Sequence, residues 1–525
     1  MSVFRTALLS AVADGGGRPA VIEDDVTRSY ADLDRWSSVL ARSLAPSPAR
    51  PPVRPARDER QCAALLLPNG APWLAAYLAV LKADMVAAPL NPALTGAEIS
   101  RVLEHTRPRL VLCSPEREPE VRELVAGLSP APPRVRTIGP VPPDADAAPD
   151  APAVDASWQC VDRGPRTPCL VMHTSGTTGS PKALVQTEQA LHLTTGYWRD
   201  LHRTANDVVA LPIPLAHTYG HLVAAATLLA GAALIAVPEA FDPRRWAARL
   251  TRRRATVLEG VPALYARLLT ADAPAVSGGR LRRCLSAGQQ APADLRRSWE
   301  RRTGVPLLES WGMTELAGPG LGPFPGTCRG SAGVPVPGLR TRLVAVGRDG
   351  TTTDGAIAEP GTAGELWVRG PQVTPGHRTD AGGVVPVCDE QGWLRTGDLA
   401  VRDEHGCVTL TGRIKDVIIT RGYNVHPAEV EAALREHPGV ADVAVVGRAD
   451  PERGEEVPHA VVVAAPGSPA VSVGELREHC LSRLARYKVP RTMEFVRRLP
   501  VSATGKLDRA ALRGPVATTT VVKEG

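Results

Sequence analysis

Short apolar runs alternate along the chain with longer segments of helical period, and no other feature limits its fold so sharply. Residues 63–68 read as a strand, 73–82 as a helix, 85–89 as a strand, 97–105 as a helix and 110–113 as a strand. A helix between two strands carries the chain back to its starting end, so the next strand enters parallel to the last. The pattern therefore specifies a layered α/β core. It is interrupted at 46–60 and 129–157, which are rich in Pro, Ala and Arg or Asp and read as exposed loops. It resumes at 169–173, 208–212, 232–237 and 255–258. From 339 to 369 short strands and Gly-rich turns predict a β-rich subdomain. Past 411, a helix over 427–436, strands over 443–446 and 460–464, a helix over 473–486 and a strand over 493–496 make a separate α+β domain. At 525 residues the chain exceeds one ordinary core, and two or more domains are expected.

Composition narrows the classes. With 43% hydrophobic and 22% charged residues the chain is globular, and a net charge of +6 is small for its length. Arg252, Arg253 and Arg254 form a basic run without interleaved aromatics, which reads as a solvated face rather than a nucleic-acid site. Of nine cysteines the nearest pair, Cys160 and Cys169, is nine residues apart. Without a CxxC or a secretory leader, neither a zinc site nor a disulfide framework is supported. The opening MSVFRTALLSAVADGGG reads as an amphipathic helix. The apolar stretch 222–237 is 16 residues long and contains Thr227 and Gly231. It is too short to span a bilayer and divides into helix, turn and strand. A cytoplasmic enzyme with no membrane span and no nucleic-acid partner is expected.

The chemistry begins at TSGTTGSPK (174–182), directly after the apolar strand at 169–172. Glycines allow a ligand close to the backbone and hydroxyls add donors, so such a loop suits a polyphosphate. It is not a Walker A loop, because Pro181 and Ala183 stand where that motif needs Gly and Ser or Thr. A flexible Ser/Thr/Gly loop is the competing reading, and nine residues in this order after a buried strand weigh against it. From about residue 30 to 513, spaced motifs in the usual order resemble the acyl-adenylate-forming superfamily of acyl-CoA synthetases, adenylation domains and luciferases. The resemblance implies that Thr174, Ser175, Gly176, Thr177, Thr178, Gly179 and Lys182 hold the β- and γ-phosphates of ATP. It also implies an α/β fold with a large N-terminal region, 1–412, of layered subdomains plus the β-rich one. A small mobile α+β domain, 413–525, would join it at a hinge near Lys415.

The other motifs receive roles by the same resemblance. In SWGMTE (310–315), Trp311 and Gly312 face adenine, Thr314 contacts the α-phosphate and Glu315 binds Mg²⁺, although the motif alone could be a helix start. The family usually has Gly and Tyr where this chain has Ser310 and Trp311. In RTGDL (395–399), Asp398 accepts from both ribose hydroxyls, and Arg413 is a second ribose or phosphate contact. The family's Gly-Tyr-Trp-like segment has no good counterpart after Gly376-His377-Arg378. In PVSATGKLDR (500–509), Lys506 reaches the α-phosphate and the attacking carboxylate. Only six of the 61 basic residues are lysines, and three of them are Lys182, Lys415 and Lys506, which suggests that these sites want a compact point charge. After the small domain rotates about Lys415, the segment around Gly422 lines the tunnel by which a thiol enters.

PLAHTYGH (214–221) places His217 and His221 four apart, but without an HExxH glutamate a zinc site is disfavoured. The resemblance makes His217 the gate at the carboxylate end of the acyl pocket, with Gly260-Val261-Pro262 and Ser286-Ala287-Gly288 as further wall. No Asp occurs between 214 and 237 to hold an ammonium, which disfavours a free α-amino acid. The expected activity is an AMP-forming acid:CoA ligase using ATP, Mg²⁺, coenzyme A and a small-molecule carboxylic acid; fatty, aryl and polycyclic acids stay open. Its rivals are a ligase that loads a carrier-protein phosphopantetheine and a nucleotide-binding protein without catalysis.

Overall fold

A computed structural model describes residues 4–44, 62–128, 132–139, 164–174, 182–237, 241–271, 280–323, 328–347, 352–359, 361–379, 383–420, 423–450, 455–466, 471–501, 507–513 and 520–522. The chain divides into two units. The first comprises Met1–Gly320, Val336–Leu339 and Gly370–Gly392, and the second Leu321–Pro335, Arg340–Arg369 and Trp393–Gly525. The β-rich strands thus group with the C-terminal residues rather than with the layered core.

Two mostly parallel sheets build the first unit. One runs Leu307–Met313, Arg283–Ala287, Val257–Gly260, Val208–Ala210, Ala233–Ile235, Pro19–Glu23 and Val26–Ser29, parallel until the last strand. The other runs Val384–Val385, Gly376–Arg378, Lys182–Thr187, Pro168–Thr174, Val86–Pro89, Cys62–Leu66, Leu110–Cys113 and Arg134–Thr137. It is parallel from Pro168–Thr174 onward and antiparallel before it. The central strands are buried on both faces, which explains why they read as unbroken apolar runs rather than alternating ones. The helix Ala71–Lys82 is apolar all round and almost wholly buried, as a helix inside a large core must be. Trp73, Tyr77 and Trp198 share its cluster with the helices Phe4–Asp14 and Thr218–Leu229. Among the described residues no helix is long and apolar enough to cross a membrane. The stretch at 222–237 divides as expected, into the end of the helix Thr218–Leu229, a turn and the strand Ala233–Ile235.

In the second unit an antiparallel sheet runs Thr352–Ile357, Arg340–Val346, Gly364–Arg369, Leu394–Arg402 and Val408–Arg413. Arg342 lies between the rings of Trp367 and Trp393, at 4.5 and 4.3 Å, and Arg395 covers Trp367 at 4.6 Å. These cross-strand cation–π contacts tie three strands together. A second sheet, Val440–Asp450, Glu455–Ala464, Thr492–Phe495 and Thr520–Val522, shares a core with the helices Pro427–Arg435 and Val473–Leu481. One expectation is corrected here. Cys328 and Cys407 form a disulfide, with Cα atoms 5.6 Å apart across 79 residues. The spacing hides the pair; Gly333 pairs with Val408 and so brings the two cysteines together.

Candidate active site

The phosphate motif starts on a hairpin. Thr174 ends the strand Pro168–Thr174 and pairs with Lys182, the exposed first residue of the antiparallel strand Lys182–Thr187. The loop therefore leaves and re-enters one pair of strands, whereas a Walker A loop runs on into a helix. Ser175, Gly176, Thr177, Thr178 and Gly179 lie outside the described residues.

The same hairpin holds the second motif. Trp311, 9% exposed, lies near the carboxyl end of the strand Leu307–Met313, which turns at once into the 3₁₀ segment Thr314–Leu316. Gly312 permits this turn, since a Cβ there would stand 2.2 Å from the Gly318 carbonyl oxygen. Gln186, from the hairpin, donates its Nε2 to the Thr314 carbonyl at 3.0 Å. The Thr218 hydroxyl donates to the Thr314 hydroxyl at 3.2 Å, and the Thr374 N–H donates to the Glu315 carbonyl at 2.7 Å. The Thr374 hydroxyl also bonds the Val185 carbonyl. Thr314 and half-buried Glu315 are thus fixed by three elements at once.

Thr218 opens the helix Thr218–Leu229, and His217 is its N-cap, its Nδ1 accepting from the Tyr219 N–H at 3.2 Å. The proton of neutral His217 then sits on Nε2. His221 turns into the core, its Nε2 2.7 Å from the Tyr77 hydroxyl, and burial pushes its pKa down to about 3. The two histidines therefore do different jobs. Gly288 follows the strand Arg283–Ala287 at φ +84°, where glycine is favoured. The next turn is anchored by Glu309, which accepts from the Ala291 N–H at 2.7 Å and pairs with Arg296 at 2.8 Å. Burial raises the pKa of Glu309, against the opposing effect of Arg296. Gly260 and Ala287 end adjacent parallel strands and Trp311 lies near the end of the next, and the crevice beyond such carboxyl ends is where open α/β sheets bind ligands.

The second unit carries the remaining motifs. Asp398 and Arg413 are register partners on adjacent antiparallel strands, with Arg413 Nε 2.7 Å from the Asp398 carboxylate. The Gly397 N–H, at a residue with φ +71°, donates to Glu365 at 3.0 Å, and Glu365 also accepts from the Trp367 indole at 2.6 Å. Lys415 is exposed in the 3₁₀ turn Ile414–Asp416, its carbonyl accepting from Arg513 at 3.3 Å. Gly422 and Lys506 lie outside the described residues; Val501 and Leu507, on either side of the Lys506 loop, pair with each other. Gln186, Thr374 and Thr218 escaped the sequence reading of the site. The signal for Gln186 is a lone amide directly after the buried apolar run 183–185, and for the threonines there is none.

Residues 9–377 match the model of the AMP-binding enzyme family, and residues 429–506 match that of the AMP-binding enzyme C-terminal domain. The chain belongs to the AMP-binding enzymes, the acyl-adenylate-forming superfamily, on the side of its acyl- and aryl-CoA synthetases. It is 34% identical to a sulfoacetate–CoA ligase of Cupriavidus necator over 457 residues, 86% of this chain and 87% of that one. It is 33% identical to a feruloyl-CoA synthase of an Amycolatopsis species, covering 94% and 95%. Its fold matches the crystal structure of ATP-bound MatB from Rhodopseudomonas palustris with a TM-score of 0.83, at 29% identity and 98% coverage of both chains.

Proposed function

We propose that this chain joins a small carboxylic acid to coenzyme A in two steps on one site. In the first, the acid's carboxylate oxygen attacks the α-phosphorus of ATP, an acyl–AMP anhydride forms and pyrophosphate leaves. In the second, the thiol loses its proton and its sulfur attacks the acyl carbon; the thioester forms and AMP leaves. The observation that carries this reading is the convergence on Thr314. The phosphate hairpin, through Gln186, and the start of the helix behind His217, through Thr218, both bond that one residue.

Such chemistry asks the protein mainly to hold charges in place. Thr174, Lys182 and the loop between them would hold the β- and γ-phosphates, and Thr314 the α-phosphate. Trp311 and Gly312 would face the adenine, Asp398 and Arg413 the ribose. The N-terminus of the helix Thr218–Leu229 adds a partial positive charge beside Thr314. His217 would gate the acid's carboxylate, with Gly288 in the wall of its pocket. Lys506 would neutralise charge at the α-phosphate during the first step. Lys415 would be the hinge residue, and the segment at Gly422 would line the approach of the thiol.

Glu315 fits a magnesium ion. Among the described residues no three His, Cys, Asp or Glu side chains gather into a cage. One carboxylate beside the substrate's own phosphates is how Mg²⁺ is commonly held, and there it would neutralise phosphate charge.

The test is to supply ATP, Mg²⁺ and a panel of acids with either coenzyme A or a holo-carrier protein, and to weigh the products. An acyl-CoA and stoichiometric AMP are expected. If no acid on the panel drives pyrophosphate release, the reading fails; a product found only on the carrier protein would replace the thiol.

A further inference from the structure

Behind the first turn of the helix Thr218–Leu229 lies a buried ion pair that neither step of the reaction uses. Glu259, on the strand Val257–Gly260, and Arg203, at the end of the helix Glu188–His202, are 2.5 Å apart with no exposed side-chain surface. Glu259 also accepts from the Trp198 indole at 3.0 Å and from the Tyr219 hydroxyl at 2.6 Å. Arg203 also donates to the Trp198 carbonyl at 3.2 Å and to the Thr227 hydroxyl at 3.1 Å. Burial raises the pKa of Glu259 and lowers that of Arg203, each opposed by the other's charge.

Stability alone is a poor reason for this arrangement. Moving two charges out of water costs several kcal/mol per ion, and apolar residues of equal volume often serve a core as well or better. What apolar residues lack is direction, and here the direction is given to Tyr219. This residue follows His217 by two, and its hydroxyl reaches Glu259 on one strand and comes within 3.5 Å of the Leu285 carbonyl on the next. Glu259 and Leu285 are themselves register partners. The hydroxyl is thus held one and two residues inside the ends of the strands that finish at Gly260 and Ala287, and the ring packs T-shaped with Trp198 at 6.2 Å. Those strand ends border the crevice proposed above for the acid.

We propose that Glu259 and Arg203 are positioning residues that act through Tyr219, holding its ring as the inner wall of the acyl pocket and thereby selecting acids by the bulk of the group distal to the carboxylate. The inference rests on the ligase reading above. A tethered wall excludes larger acids because the ring cannot swing aside without leaving a buried carboxylate short of a donor.

Tyr219→Phe keeps the ring and removes the tether. The full chain is assayed for acid-dependent pyrophosphate release with acids graded in distal bulk. The KM for the preferred acid should rise about tenfold, because an untethered ring no longer presents a preorganised wall. The KM for ATP should stay within about twofold, and the ratio of kcat/KM values should shift toward the next larger acid. Glu259→Gln, which keeps the shape and an acceptor for Trp198 and Arg203, should fall between wild type and Tyr219→Phe. A part that only stabilises the fold would lower the melting temperature and leave the choice among acids unchanged. Unaltered acid KM and selectivity in Tyr219→Phe, or equal rises for acid and ATP, would overturn the inference and leave the ligase reading standing. A wild-type chain that releases no pyrophosphate with any acid would overturn both.

Discussion

An aspartate whose side chain is 3% exposed keeps its charge only with a partner, and for Asp398 that partner is Arg413. The carboxylate is thus already oriented for the ribose contact proposed above. Asp398→Asn keeps the shape but loses the charge that would strengthen two hydroxyl contacts, each worth about 1.5–3 kcal/mol with a charged acceptor. The KM for ATP should rise at least about tenfold while the melting curve changes little; an unchanged KM for ATP would remove the ribose role. Both residues were legible as motif letters, but their pairing was not, because the register is shifted at Leu399/Ala400. The i, i+4 spacing of His217 and His221 left shared ligation as a disfavoured reading, and the structure gives the two residues separate surroundings: His217 caps the helix start, and His221 serves the core. Its pKa of about 3 lies below the ordinary 6.5, so the unfolded chain takes up the proton first. The stability it contributes is full above pH 6.5 and is lost as the pH falls toward 3, by at most about 1.4 kcal/mol per pH unit. Urea midpoints measured from pH 7 to pH 5 should fall, and less steeply in His221→Gln.

At the scale of elements, runs buried on both faces were the most legible. The strand expected at 110–113 is the strand Leu110–Cys113, and the helix expected at 97–105 is Gly96–Thr106, started by a Thr95–Glu98 capping box. Elements set by partners were less so. The strand expected at 443–446 extends over Val440–Asp450, because its antiparallel neighbour Glu455–Ala464 supplies hydrogen bonds whether or not the side chains are apolar. The strand Lys182–Thr187 was not legible for a related reason: only 183–185 of its six residues are apolar, and its bonds come from the hairpin partner Pro168–Thr174. The disulfide belongs to this scale, since it pins the turn between the strands bearing Asp398 and Arg413 to the segment before Gly333. For a closure of 79 residues the loop-entropy model gives about 4.5 kcal/mol. A reductant should therefore lower the melting temperature of the second unit by roughly ten degrees, and Cys407→Ser should melt low with or without it. Equal melting of the wild type in both conditions would show that the bond adds nothing.

For the molecule as a whole, the residues proposed for the chemistry are divided between the units. The first holds the phosphate hairpin, Thr314, Glu315 and His217; the second holds Asp398, Arg413, Lys415 and the chain on either side of Lys506. A protein that makes an anhydride and then breaks it with a thiol needs a cation at the α-phosphate in the first step and open access to the acyl carbon in the second. One residue cannot stay in place through both. Lys506 is the residue proposed to leave; the described residues on either side of it, Val501 and Leu507, pair with each other. Lys415 is the proposed hinge, exposed on the single 3₁₀ turn Ile414–Asp416, and a hinge needs only a few residues that absorb a change in φ and ψ. Lys506→Ala should lower adenylate formation by about 10²–10³ and spare thioester formation from a supplied acyl-adenylate. Lys415→Pro, which fixes φ near −65°, should spare the adenylate and stall the thioester. The two half-reactions are followed separately, by pyrophosphate release and by thioester mass. Equal damage to both halves in either variant would mean that the chain does not alternate between two arrangements.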